Sequence, residues 1–503
     1  MSIRVAWRYS LNLTGSIVKW LAAPLCFPLA LALFYGEPVA PFVVAIVVAI
    51  VVGVGFEQFD EEGRLGPREA LLMVAITWLL VALIGAIPFV VAGRGTIAHP
   101  VNAAFEAMSG LTTTGATVLR EFDIHANSIL MWRQLIQWVG GLGILILATA
   151  ILSRLSVGGA QLMESETQYD NVDKLTPHIE DTARLIGTLY VGLTASAVAV
   201  LYGLHLVGLA PNMDFFNAVS HAFTSVATAG FSPEPLSIEA FEPIVHWAVM
   251  PFMFLGSTSF LLMYFVLQGN VDRLRDSEEF WFYLGTVVVF SGLVVSILSL
   301  VGNPTGNGFG ETLRQSLFNV VSIITTTGYA NADFNQWPAF ATFLLFVGMF
   351  LGGMAGSTTC SIKSFRWVVI FKAFRRDLFT VIHPEAIRPL RLSGRVIDEG
   401  TVRNVYSYTL IAIVGVFVVA AFIVVDGART GLYDAADITA FDALGAAAST
   451  FLNIGPAFGP AGPYGTYDVF PMSTKAVMVV IMWVGRIEII PVLVLFTRSF
   501  WQS

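Results

Sequence analysis

The chain has 503 residues, 56% hydrophobic and only 12% charged, with a mean hydropathy of +0.74, where an average soluble protein carries about a quarter charged residues. That composition belongs to a polytopic membrane protein whose first partner is the lipid bilayer. The acidic balance, 35 Asp plus Glu against 27 Lys plus Arg, excludes nucleic acid as the main partner, and Cys26 and Cys360 are too few and too far apart for a disulfide framework or a zinc site.

The first apolar run, Ile17 to Phe34, follows Arg4, Arg8 and Lys19 as a secretory leader would. Only a tight turn at Tyr35, Gly36, Glu37 and Pro38 separates it from Pro41 to Phe56, so the pair reads as a transmembrane hairpin. Runs long enough to cross about 30 Å of hydrocarbon follow. They are Ala70 to Ala92, Ile129 to Leu152, Ala183 to Leu209, Ile244 to Leu267, Glu279 to Val301, Ala339 to Phe371 with an interruption, Val405 to Val425, and Thr474 to Phe496. That predicts an all-α protein of ten transmembrane helices. With the N-terminus inside, inner segments hold 20 of the 27 Lys and Arg, nine of them between Lys363 and Arg403. The positive-inside rule then places both termini in the cytoplasm, in the cell (plasma or inner) membrane.

Four segments between spans are too short to cross and too apolar for solvated loops, which predicts re-entrant half-helices. They align without gaps on Gly115, Gly230, Gly328 and Gly455. Asn102, Asn217, Gln315 and Asp442 stand thirteen residues before each Gly, and Ser109, Thr224, Ser322 and Ser449 six before it. The unit is span, half-helix, Gly loop, span, repeated four times. The organisation is an N-terminal hairpin at 1–69 and pore repeats at 70–155, 183–270, 278–382 and 403–503, the third with a broken second helix.

Four such units in pseudo-fourfold arrangement would turn their Gly loops, and the negative ends of their half-helices, toward one axis. Carbonyls there replace the hydration shell of a monovalent cation, and the loops carry no carboxylate ring of the kind a divalent-cation filter prefers. Glu106, Glu121, Asp123, Glu234, Glu239 and Glu242 lie close by, as solvated loop acids or as a cation-concentrating mouth.

The four loops, with Met131 to Ile144 (MWRQLIQWVGGLGI), Thr176 to Thr182 (TPHIEDT) and the stretch GGMAGSTTCSIK, closely resemble the membrane subunit of the Trk bacterial and archaeal potassium uptake systems. The likeness covers nearly the whole chain. The extra N-terminal hairpin resembles the TrkH/TrkG branch of the Trk/Ktr/HKT superfamily rather than the shorter Ktr branch. The resemblance implies K⁺ uptake through one pore per subunit, no organic cofactor, a homodimer, and control by a cytosolic nucleotide-binding ring of the TrkA (RCK) type.

It also implies K⁺ coordination by backbone carbonyls of the two residues before each selectivity Gly: Thr113 and Thr114, Thr228 and Ala229, Thr326 and Thr327, and Asn453 and Ile454. The fourth loop departs most from a TTTG pattern, with Pro456 after its Gly, which makes the site asymmetric. The broken span at 352–361, including Gly352, Gly353, Gly356 and Ser357 and resuming at Lys363, corresponds to an intramembrane gate. Close helix packing is the plainer reading of those small residues. Arg486, the one basic residue well inside a span, corresponds to an Arg in a GR(I/L)E sequence just below the filter, its charge opposing cation passage. A structural ion pair with Glu488 or Glu106 is the alternative.

No G-x-x-x-x-G-K-[ST] phosphate loop is present, and Gly306, Gly308 and Gly310 lie in an outer loop, so nucleotide sensing belongs to another chain. The cations from Lys363 to Arg403 offer a docking surface for it, or simply reflect the inside bias. The seven His form no metalloprotease pattern, and the chain is not read as an enzyme. An H⁺- or Na⁺-coupled K⁺ symporter, with Glu106 or Asp442 titrating, is the rival reading.

Overall fold

Helix length follows directly from apolar run length, because inside lipid each backbone N–H and C=O must be satisfied within its own segment. The computed structural model of the chain describes residues 5–59, 65–147, 179–386, 388–431 and 438–502. Among these, seven helices are long and apolar enough to cross a membrane: Trp7–Tyr35, Ala40–Glu57, Pro67–Ala92, Asn127–Leu147, Asp181–Leu206, Glu278–Val301 and Glu399–Thr430. A bent pair, Pro243–Gly256 and Phe260–Leu267, adds an eighth if counted as one span. The ends of two sequence features, 148–152 of the fourth span and 176–178 of the TPHIEDT stretch, lie outside the described residues.

The four half-helices form where the repeat places them, at Pro100–Leu111, Phe215–Val226, Phe309–Ile324 and Ala440–Leu452. Their starts are encoded locally. Pro100 opens the first, where its missing N–H costs no bond. Asp214 accepts from the Asn217 amide at the start of the second, and Thr439 and Asp442 form a reciprocal capping box at the start of the fourth.

The interruption expected in the third repeat is present: Ala339–Gly348 stops, residues 349–363 are non-helical, and Ser364–Ile382 resumes. Two further breaks were not legible as breaks. The second repeat bends by 102° between Gly256 and Phe260, where Ser259 caps the new helix by accepting from Leu262. The last span stops at Arg486 and restarts at Ile490, with Glu488 and Ile489 at φ 63 and 40. A β-branched residue at positive φ is a costly conformation that neighbouring contacts must hold.

The first helix, longer toward the N-terminus than its apolar core, lies against the second at a pair of glycines. A Cβ on Gly15 would come within 2.6 Å of the Gly53 carbonyl oxygen, and one on Gly53 within 2.8 Å of the Gly15 carbonyl oxygen. Lys19 closes the contact by pairing with Glu57 at 2.6 Å. Small residues thus set the helix separation, as in membrane helix pairs generally. Replacing Gly53 by Ala is expected to destabilise the protein by about 1–3 kcal/mol through overpacking. Gly55, with open space around it, tolerates the same change. Thermal unfolding of both variants in detergent checks this, and equal midpoints would refute it.

Candidate ion-binding site

The four Gly loops share one backbone conformation. Thr113, Thr228, Thr326 and Asn453, two residues before each Gly, have φ of 53, 48, 53 and 56, and the glycines have φ of 80, 75, 81 and 113. Non-glycine residues adopt such values sparingly, so recurrence at four equivalent positions is imposed by the surrounding fold. The amide just before each Gly bonds the carbonyl six residues before it: Thr114 to Ser109 at 2.8 Å, Ala229 to Thr224 at 2.9 Å, Thr327 to Ser322 at 2.8 Å and Ile454 to Ser449 at 2.9 Å.

The glycines also close a ring. A Cβ on Gly115 would overlap the carbonyl oxygen of Ala229, one on Gly230 that of Thr327, one on Gly328 that of Ile454, and one on Gly455 that of Thr114, each nearer than 3.0 Å. Loop one touches loop two, two touches three, three touches four, and four returns to one. All eight residues expected to present carbonyls are therefore brought together, and each Gly is needed both for its positive φ and for this approach.

The carbonyls at the centre are largely without donors. Among the described residues no hydrogen bond reaches those of Thr113, Thr228, Thr326 and Asn453, nor those of Thr114, Thr327 and Ile454. Ala229 is the exception in its ring, accepting from Gln137 Nε2 at 2.6 Å. Buried carbonyls are almost always paired, so this concentration of unpaired oxygens makes a strongly negative spot suited to a dehydrated cation. The four glycines border a cavity of about 220 Å³, on the side of the loops away from the half-helices, that Glu234, Ser232, Arg133 and Tyr464 also line.

Behind the loops, the residue nine before each Gly braces the chain that follows it. Glu106 accepts from Val118 N and Thr117 Oγ1, both at 2.9 Å. His221 Nε2 meets Ser232 Oγ at 3.0 Å. Asn319 Nδ2 donates to Asn331 Oδ1 at 2.8 Å. The fourth repeat has Ala446 here. The spacing is legible in the repeat alignment, but Glu, His and Asn share no obvious chemistry until the return chain is seen.

Glu106 is fully buried and paired with Arg133 at 2.8 Å, and Arg133 also donates to the Ser232 carbonyl at 3.1 Å and lies 4.3 Å from the centroid of the Phe231 ring. Glu106 is thus a buried partner of Arg133 rather than a mouth acid, and Asp442 is engaged in its capping box. Gln137 Oε1 accepts from Phe231 N at 3.1 Å, so one amide clamps both sides of Gly230.

Beneath the loops, residues 349–363 run non-helically and are tied to three of the four. Thr358 Oγ1 meets Thr228 Oγ1 at 2.8 Å, Cys360 N donates to Thr326 Oγ1 at 3.2 Å, and Ser361 N donates to the Leu452 carbonyl at 3.1 Å. Gly353 packs so close to Ser257 that no Cβ fits, Ser357 Oγ donates to the Met354 carbonyl at 2.6 Å, and Gly356, at φ 73, accepts from Phe260 N at 3.1 Å. Gly352 N donates to the Ile362 carbonyl at 2.9 Å.

Arg486 is 1% exposed and donates through Nη1 to the Thr358 carbonyl at 2.9 Å and Cys360 Sγ at 2.8 Å, and through Nη2 to the Gly140 carbonyl at 3.4 Å. Neither candidate ion-pair partner is available to it: Glu106 holds Arg133, and Glu488 holds Lys363 at 2.9 Å and Arg366 at 2.7 Å. Glu279, legible only as the start of a span, accepts from Ala355 N at 2.7 Å and Phe365 N at 3.3 Å, tying the middle of this loop to the first turn of the helix that follows it.

The fold and site define a polytopic helical membrane protein with four Gly loops that touch one another in a ring and a non-helical segment tethered to three of them. The family of TrkH cation transport proteins matches residues 41–503, and the chain belongs to that family. It is 33% identical to the Trk system potassium uptake protein TrkH of Halomonas elongata over 99% of both chains. It is 32% identical to the protein of that name from Escherichia coli K12, over 98% of this chain and 99% of the relative. The crystal structure of the potassium transporter TrkH from Vibrio parahaemolyticus superposes with a TM-score of 0.85 at 28% identity, covering 99% of this chain and all of that one. These relatives are transporters, and the chain is not an enzyme.

Removing one member of the Arg133–Glu106 pair leaves a buried unpaired charge. Glu106→Ala is expected to destabilise by about 3–5 kcal/mol, whereas replacing both residues by apolar side chains of similar volume costs less. Thermal unfolding of single and double variants tests this. A double variant no better than Glu106→Ala would show that the charges do not act as a pair.

Proposed function

We propose that the chain takes up K⁺ across the cell (plasma or inner) membrane through a selectivity filter made by the four Gly loops. The observation that carries this reading is the ring of four donor-less carbonyls at Thr113, Thr228, Thr326 and Asn453, all in the left-handed conformation. Such a ring replaces hydration water around a monovalent cation, and the carbonyls of Thr114, Thr327 and Ile454, with Ala229 sharing its oxygen with Gln137, add a second layer.

In this reading the repeats 70–155, 183–270, 278–382 and 403–503 form a pseudo-fourfold pore, preceded by the hairpin 1–69. The bent and broken helices count as single spans, giving ten, with both termini cytoplasmic. The relatives' names speak of a Trk system, which supports a further component. The pore is then held in a homodimer and controlled by a cytosolic TrkA-type nucleotide-binding ring.

Residues 352–361 act as the gate and Arg486 as its charge. The segment sits directly under three filter loops, and the guanidinium both pins it through Thr358 and Cys360 and opposes cation passage. Opening would release the contacts to Thr228, Thr326 and Leu452, while Lys363, paired with Glu488, fixes the far end.

Purified protein in liposomes is expected to accumulate ⁸⁶Rb⁺ down a K⁺ gradient alone, with K⁺ competing strongly and Na⁺ and Li⁺ weakly. Uptake that requires an imposed Na⁺ or pH gradient would replace this reading with a coupled symporter. Arg486→Ala is expected to raise basal flux about tenfold, a barrier change of about 1.4 kcal/mol, within what one charge exerts across a partly buried path. Arg486→Lys keeps the charge and raises it less. Unchanged flux in an inserted, folded Arg486→Ala protein would remove Arg486 from the gate.

A further inference from the structure

The four loops agree in the left-handed residue two before each Gly but differ in the engagement of their last carbonyls. Among the described residues, those of Gly115, Gly230 and Gly328 accept no hydrogen bond, and these glycines are partly exposed to the outer cavity. The Gly455 carbonyl accepts two, from Ser449 Oγ at 2.7 Å and from the Tyr467 hydroxyl at 2.9 Å. A carbonyl oxygen has two lone pairs, so both are occupied.

Gly455 also stands apart in conformation, at φ 113 against 75 to 81 in the other three, and is buried. The third loop shows the alternative arrangement: Ser322, six residues before its Gly, donates to the Tyr329 carbonyl at 2.7 Å, one residue further on, and leaves the Gly328 carbonyl without a donor. Tyr467 is held rigidly. Its ring packs against Phe105 and Phe470, with centroids 5.6 and 5.8 Å away, and its N–H donates to the Thr117 carbonyl at 2.8 Å.

We propose that Ser449 and Tyr467 hold the Gly455 carbonyl out of the ion path, so that the outermost carbonyl ring presents three oxygens. A cation there keeps water from the outer cavity, and complete dehydration happens deeper, past the layer of Thr114, Ala229, Thr327 and Ile454, at Thr113, Thr228, Thr326 and Asn453. Because the number and field strength of coordinating carbonyls set discrimination, selectivity resides in that inner ring. Ser449 and Tyr467 are positioning residues that act through the Gly455 carbonyl, and the proposal rests on the cation-pathway reading above.

The test combines ⁸⁶Rb⁺ uptake into proteoliposomes with anomalous scattering from crystals grown in Rb⁺. Wild-type crystals are expected to show a stronger Rb⁺ peak at the inner ring than at the glycine ring. Tyr467→Phe removes one donor and should lower the external Rb⁺ concentration for half-maximal uptake about threefold, and Tyr467→Phe with Ser449→Ala about tenfold, each lost hydrogen bond counting roughly one such factor. Maximal rate should move less, the outer peak should grow in the variants, and Ser449→Thr, which keeps the hydroxyl, should match wild type.

Equal inner and outer peaks in wild-type protein would overturn the proposal even if the variants fail to fold. Folded variants with unchanged half-saturation and unchanged peaks would overturn it too, leaving the transport reading intact. Wild-type protein that binds no Rb⁺ at either ring and takes up no ⁸⁶Rb⁺ would overturn both.

Discussion

A carbonyl oxygen buried without a donor is one of the less stable arrangements a folded backbone can hold, and this molecule gathers a ring of them at the end of four half-helices. The remainder of the architecture keeps them there. Each loop is tied to its own half-helix by the amide before its Gly, and each Gly lets its neighbour's carbonyl approach more closely than any side chain would permit. The braces behind the loops are chemically unlike one another: a buried ion pair at Glu106 and Arg133, a His221 to Ser232 bond, an Asn319 to Asn331 bond. Four repeats have thus kept a backbone geometry while diverging in the side chains that enforce it.

The segment beneath the loops meets the same constraint by other means. Unwinding a helix in the membrane exposes N–H and C=O groups that lipid cannot satisfy. Here Ser257, Gly256, Glu279, Thr326 and Leu452 supply the partners. Glu279 links this segment to a neighbouring hairpin through the residue beside it. Its neighbour Glu278 accepts from Lys372 and, at 3.2 Å, from Ser393 N in the short hairpin Arg391–Val396. Adjacent carboxylates at one helix start therefore hold the Arg391–Val396 hairpin and the non-helical segment together.

The charged cluster at the last break is the counterpart. Glu488 and Ile489 sit at positive φ, which a β-branched residue adopts only when held, and Glu488 is held by Lys363 and Arg366, the latter stacked 3.5 Å over the Tyr408 ring. Arg486, two residues earlier, is left to make its contacts with the backbone and thiol of the neighbouring segment rather than with a carboxylate.

The sequence by itself determined the membrane class, the hairpin, the positions of the half-helices and the four glycines, because hydrophobic run length and a recurring motif are local or periodic signals that need no knowledge of contacts. It also singled out the isolated Arg486 and a break at 352–361, which the structure starts a little earlier, after Gly348. The bends at Ser257–Ser259 and Ile487–Ile489 carry a few polar residues, Ser257, Thr258 and Ser259 in one and Arg486 and Glu488 in the other, inside otherwise apolar runs, a signal too short to tell a bend from polar residues within a continuous span, so packing against other repeats decides them. The same holds for Gln137, Glu279, Ser449 and Tyr467. Each acts on a backbone group of another element or of its own re-entrant loop, and which carbonyl a side chain meets depends on how the repeats close on one another. Whether Glu106 is a mouth acid or half of a buried pair, and whether Arg486 has a carboxylate partner, were likewise settled only by tertiary structure, since nearness in sequence does not say which charge meets which: Glu488, two residues from Arg486, is taken by Lys363 and Arg366, and Glu106 by Arg133.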